Sequence, residues 1–177
     1  VVGETFGYGI TPTQSESAAV SDGAEFTSGT PFFSGTVVQV NAGTVSSVSR
    51  ANEVAAQNVT ELSPNQPLGG FAVDIKGEAI TVASLTFGFD ISGGDDATDL
   101  DNITLVDANG VVVAGPVDGT TGTGNDGKVT FTDTVTFPTG RTVYTLKGQL
   151  SADFSDGDTI IATTTPSTYW TTVRGTI

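Results

Sequence analysis

Runs in which every second residue is apolar dominate this chain, and apolar stripes at helical spacing are nearly absent. Side chains on a strand alternate between faces, whereas a helix repeats about every 3.6 residues, so this pattern restricts the chain to sheets with one buried face. The longest run is Ile80-Thr81-Val82-Ala83-Ser84-Leu85-Thr86-Phe87-Gly88-Phe89, preceded by Phe71-Ala72-Val73-Asp74-Ile75-Lys76. From Val129 to Phe137 the pattern sets Val129, Phe131, Val135 and Phe137 on one face and Thr on the other, as in a half-exposed antiparallel strand. Val143–Leu150, Thr159–Thr163, Thr36–Val40 and Thr44–Val48 read as further strands.

Turn chemistry separates these runs. Asp107-Ala108-Asn109-Gly110 places Asn-Gly between Leu105-Val106 and Val111-Val112-Val113, a strong hairpin signal. Asn125-Asp126-Gly127 and Pro138-Thr139-Gly140 supply further turns. The one helix-like stretch is Arg50–Gln57, two turns without a clear cap. Strands at intervals of roughly 8–12 residues with Gly, Pro and Asn between them point to an all-β fold, an Ig-like antiparallel β-sandwich with an extended N-terminal segment.

Composition narrows the function. With Gly counted in, close to half of the 177 residues are apolar, about what a globular core needs. The 20 acidic residues against 6 basic ones give a net charge of −14, which disfavours nucleic acid because a phosphate backbone is bound through a basic footprint. There is no Cys and no His, so thiol nucleophiles, disulfides, imidazole bases and most transition-metal sites are absent. The longest obvious apolar run, Val111–Ala114, falls far short of the roughly 18 residues of a membrane helix, so membrane insertion is not expected. There is no Met, so the chain reads as a processed or excised segment without a signal peptide. A chain rich in Thr, Gly, Ser, Val, Asp and Asn and poor in Lys suits a secreted surface polymer, and an extracellular or cell-surface location is expected.

Three segments are expected: 1–13, an extended strand; 14–35, an irregular linker rich in Ser, Gly, Thr and Glu; and 36–177, the sandwich. An internal echo sets the role of the first. At an offset of 154, Gly3-Glu4-Thr5-Phe6 faces Gly157-Asp158-Thr159-Ile160, and Thr11-Pro12-Thr13 faces Thr165-Pro166-Ser167. Residues 1–13 therefore read as the end of a preceding repeat or as a strand donated to a neighbour's sheet. Phe6, Tyr8 and Ile10 are the alternate apolar residues that such a strand would insert.

Gly77–Phe87, Leu100–Asp107, Val143–Gly148 and Gly157–Ile160 resemble repeated immunoglobulin-like modules of large secreted bacterial surface proteins, of the kind found in small-genome, candidate-phyla bacteria. The resemblance spans residues 36–177, most clearly 68–165, while 14–35 do not fit it. It implies stalk, fibre or adhesin roles and carries over no catalytic residue.

The densest chemistry is Gly93–Asn102, where Asp95, Asp96, Asp99 and Asp101 form an acidic, Gly-flanked loop. Hard oxygen ligands of this kind suit Ca²⁺, but the spacing is not that of an EF-hand loop, and a solvated acidic loop with Asx-turns is the favoured reading. Asp153–Asp158 is a second acidic turn. Asn58-Val59-Thr60 and Asn102-Ile103-Thr104 are sequons. The single Trp, in Tyr169-Trp170, can anchor a subunit interface, stack on a sugar ring or fill a core. Ser151 and Ser155 have no His to activate them, and no enzyme is expected. The chain reads as a non-catalytic extracellular structural subunit or repeat that assembles head to tail into a filament or stalk. Copies of itself are the expected partner, with glycans as candidates, and no cofactor is expected beyond the candidate Ca²⁺. The alternatives are a carbohydrate-binding or adhesive module of a surface protein, using Trp170, Tyr169 and the acidic loops, and a viral tail or capsid decoration protein.

Overall fold

Four strands pair with one long neighbour, Ile80–Ile91, whose Ile80, Val82, Leu85, Phe87, Phe89 and Ile91 are all buried, the alternation shifting by one residue at Ala83–Ser84. The computed structural model describes residues 4–6, 38–122 and 126–177. The chain divides into two units, Val1–Asn41 and Ala42–Ile177. In the first, β1 (Glu4–Phe6) pairs antiparallel with β2 (Val38–Val40), Glu4 opposite Val40 and Phe6 opposite Val38. Tyr8 and Ile10 lie outside the described residues. The sandwich begins at Ala42, so Val38–Val40, expected as part of its first strand, belongs to the smaller unit instead.

The larger unit is an all-β antiparallel sandwich. One sheet has the order β3-β4-β10-β6-β7, formed by β3 (Thr44–Arg50), β4 (Gln66–Lys76), β10 (Gly140–Leu150), β6 (Leu100–Asp107) and β7 (Val112–Val117). The other is built around β5 (Ile80–Ile91). Along one side of β5 run β11 (Ile160–Thr163) and β12 (Trp170–Arg174); along the other run β8 (Lys128–Phe131) and β9 (Val135–Phe137). A single helical turn, α1 (Pro166–Tyr169), separates β11 from β12.

The core lies between the sheets. Phe87, Phe89, Phe131, Phe137, Leu85, Leu100, Leu105 and Leu146 are all fully buried. On the outer face of the β5 sheet the Thr residues pair across strands, with Thr86 and Thr130 hydroxyls 3.0 Å apart and those of Thr81 and Thr136 3.3 Å apart. The alternation along residues 129–137 therefore sorts side chains as expected, but as two strands. Phe131 lies opposite Leu85 and Val135 opposite Val82, so the chain must spend an extra residue to stay in phase. It does so at Thr132–Thr134, where the Asp133 carboxylate accepts a hydrogen bond from the Gly115 N–H at 2.9 Å. The hairpin expected at Asn109-Gly110 forms, with the Asp107 carboxylate accepting from the N–H groups of Asn109 and Val111.

Arg50–Gln57 forms no helix. Arg50 completes β3 opposite Phe71, and the Ala51 N–H donates to the Gly70 carbonyl. A segment of this length lacks the roughly 12–15 residues that a helix needs to stand alone, so the sheet ladder wins. Among the described residues no helix is long and apolar enough to cross a membrane.

Candidate interaction site: the open seam

Two of the lines along which the sheets meet are stitched by backbone hydrogen bonds. Thr176 N–H donates to the Gly43 carbonyl and Val45 N–H to the Thr176 carbonyl, while Thr120 and Lys128 exchange two bonds of 2.8 Å. A third stretch stays open. β3 ends opposite Phe71, which leaves Gln66–Gly70 of β4 without a strand on that side among the described residues. Facing this gap is β11, whose far side carries no strand at Ile160–Ala162 among the described residues. The result is a groove of about 1460 Å³. Leu68, Phe71, Phe87, Leu146, Leu150 and Phe154 line it, and each is also a member of the buried core. The groove thus reaches the apolar interior where a further strand would close it.

β11 is a usable template for such a strand. Ser92 N–H donates to the Thr159 carbonyl, which sets the phase of the ladder so that Ile160 and Ala162 turn their backbone groups away from β5. The opposite edge is poorer, since Pro67 has no N–H and Gly69-Gly70 offers no side chains. The wall over that edge is the β3–β4 loop, residues 51–65. Val54 sits directly on Gly70, where any side chain would overlap it, and Val59 packs against the core. Glu53 forms a bidentate ion pair with Arg141 of β10 at 2.6 and 3.0 Å, and the Leu62 N–H donates to the Leu150 carbonyl. The Arg141 guanidinium holds the Glu53 pKa down at about 2. Leu62 and Asn65 both adopt left-handed backbone, at φ 53° and 61°, uncommon for residues other than glycine.

The two acidic turns, distant in sequence, meet at the end of this groove. Asp95 lies beside Asp158, and Gly93 has room for no side chain because the Asp158 carboxylate occupies that space. Partial burial, a hydrogen bond shared with the Asp158 carboxyl and the charges of Asp158, Asp99 and Asp153 all raise the Asp95 pKa. A raised folded-state value means that the folded protein binds the proton more tightly than the unfolded chain. The stabilisation is then complete below the ordinary aspartate range and lost as pH rises through the folded value. Asp95→Asn is therefore expected to raise the melting temperature at pH 7, with the gain shrinking on acidification; an unchanged or lower melting temperature at pH 7 contradicts it.

The other carboxylates proposed as calcium ligands have local work. Asp96 caps the 3₁₀ turn Ala97–Asp99 by accepting from the Thr98 N–H at 2.7 Å, and the Asp99 carboxylate accepts from the Asp96 N–H at 3.1 Å. This reciprocal cap lowers the Asp96 pKa through its bonds with Thr98. Asp101 stands in β6 opposite Gln149. Among the described residues no group of three or more Asp, Glu, His or Cys side chains is placed to hold a metal ion.

Trp170, expected at an interface, is packed inside the sandwich. Its ring stacks on Phe137 with centroids 5.2 Å apart and meets Phe71 edge-on at 6.1 Å. Its Nε1–H donates to the Thr164 hydroxyl, and only 7% of the residue is exposed, so neither face is open to a sugar ring. Tyr169 is half exposed on α1. Asn58, of the first sequon, is exposed on the groove rim. Sequence reasoning expected a strand added to a neighbour's sheet but did not place the groove that would take it. Its one local signal is Pro67-Leu68-Gly69-Gly70, a strand start with poor pairing chemistry. Comparison of the chain with family models, curated proteins and solved structures finds no match.

Proposed function

We propose that this chain is a structural subunit or repeat of an extracellular filament or stalk, joined head to tail by β-strand addition, with the open seam as acceptor and a neighbour's residues 1–13 as donor. The observation that carries the reading is the groove beside β11, floored by core residues and edged by outward-facing backbone groups. The donor is chosen by its sequence. Gly3–Phe6 echoes Gly157–Ile160, the lead into β11, so it carries strand chemistry suited to the same place. Residues 5–15 also bear no charge, which lets them approach a neighbour whose net charge is −14. Phe6, Tyr8 and Ile10 would fill the groove while the backbone adds to the sheet. Within its own chain β1 holds only three residue pairs with β2, a short ladder to exchange. The acidic, Lys-poor composition supports the extracellular setting.

Ala162→Pro tests the acceptor. It removes an N–H that faces away from β5, and Pro is tolerated on edge strands. The variant is expected to keep its near-UV circular dichroism and its Trp emission while failing to form filaments in electron micrographs. Filaments like those of the parent chain would refute β11 as the acceptor.

A further inference from the structure

We propose that the β3–β4 loop, residues 51–65, is a displaceable plug that covers the β4 side of the strand-acceptor groove in the free subunit, with the Glu53–Arg141 ion pair as its latch; this rests on the strand-addition reading above. The loop stands where β3 would continue along Gln66–Gly70 of β4. It places Val54 on Gly70 and Val59 against the core, so it supplies two small apolar side chains at the point where the sandwich lacks a strand. Its anchors lie near its ends: Ala51 to Gly70, Val54 to Ala51, Glu53 to Arg141, and Leu62 to Leu150. Among the described residues no backbone hydrogen bond holds Ala55–Glu61. A segment held at its ends and sparsely bonded between them opens locally at low cost while the surrounding strands stay paired.

Displacement is favoured by size. Phe6, Tyr8 and Ile10 of the donor present more apolar area than two valines, and burial scales with that area. The latch sets how readily the exchange starts. Both partners are about half exposed, with Arg141 at 48% and Glu53 at 52%, so the pair is screened by salt and released without disturbing the core. Free subunits then stay closed at low ionic strength and become receptive as it rises.

The experiment compares the full chain, Glu53→Gln, Arg141→Gln and a chain lacking residues 1–13 by amide hydrogen exchange and by light scattering during assembly. In both latch variants, exchange at residues 53–60 of the free subunit is expected to speed up about two- to five-fold, the size of effect an exposed pair supports, with β4 and β10 unchanged. Initial assembly should accelerate by a similar factor, and the advantage should fade as salt is added. Unchanged loop exchange, or faster exchange without faster assembly, overturns the plug. Continued assembly of the chain lacking residues 1–13 overturns strand addition itself, and the plug with it. Dependence on residues 1–13 with indifference to both latch variants overturns the plug alone.

Discussion

Removing residues 1–13 is expected to leave a folded subunit that no longer polymerises. Among the described residues the buried core cluster is drawn from residues 68–170, all within the larger unit, and the deletion leaves each of these side chains in place. What it removes is the donor. Burying three large apolar side chains contributes about 5–9 kcal/mol, at roughly 1.5–3 kcal/mol each. Loss of translational and rotational freedom costs about 4–15 kcal/mol. The two are of similar size, so the backbone ladder along β11 decides whether subunits join, and a chain without the strand has neither contribution. Sedimentation should show a single slow species in place of filaments. A synthetic peptide of residues 1–13 should bind the shortened chain and slow exchange at Ile160 and Ala162. Filaments of unchanged abundance after the deletion would sink strand donation.

Phe137→Ala should produce the largest loss of stability among single core substitutions near β9. Phe137 is fully buried, stacked on Trp170 and set edge-on to Tyr144 at 5.1 Å. Truncating such a ring costs about 3–5 kcal/mol, out of a total folding stability of about 5–15 kcal/mol. For a unit of this size the melting temperature should fall by roughly 10 °C or more. The strand containing it has only three residues, Val135–Phe137, and holds to β5 chiefly through its two buried side chains. Trp170 is the single Trp of the chain and reports the change directly. Its emission should shift to the red and its near-UV signal weaken. A melting temperature within a few degrees of the parent would show that the site collapses around the loss.

The features legible in the sequence are those that depend on neighbours along the chain. Alternation placed Val129, Phe131, Val135 and Phe137 on one face, and all four are buried, whereas Val82 and Leu85 are both buried only because the strand shifts phase between them at Ala83–Ser84. Asn109-Gly110 made its turn because the needed backbone conformation is a local preference, met by Gly110 at φ 83°. Where local and non-local forces competed, the reading failed. Arg50–Gln57 looks helical by composition, yet pairing with Phe71 and Gly70 claims its start and Arg141 claims Glu53. Trp170 beside Tyr169 resembles an exposed aromatic pair, but Tyr169 ends the helical turn while Trp170 opens β12, where its ring meets Phe137 and Phe71. One went into the core and the other out.

By itself the sequence determined the all-β class, most strand positions and the strong acidity, because side-chain periodicity, turn preference and ionisation are properties of short stretches. Only the tertiary structure decided how those stretches meet. It brought Asp95 to Asp158 across more than sixty residues, stopped β3 short of Gln66–Gly70, and left β11 facing a groove floored by the core. The register of one strand against another is set by summed burial over both sheets, and that sum exists only once the chain has closed on itself.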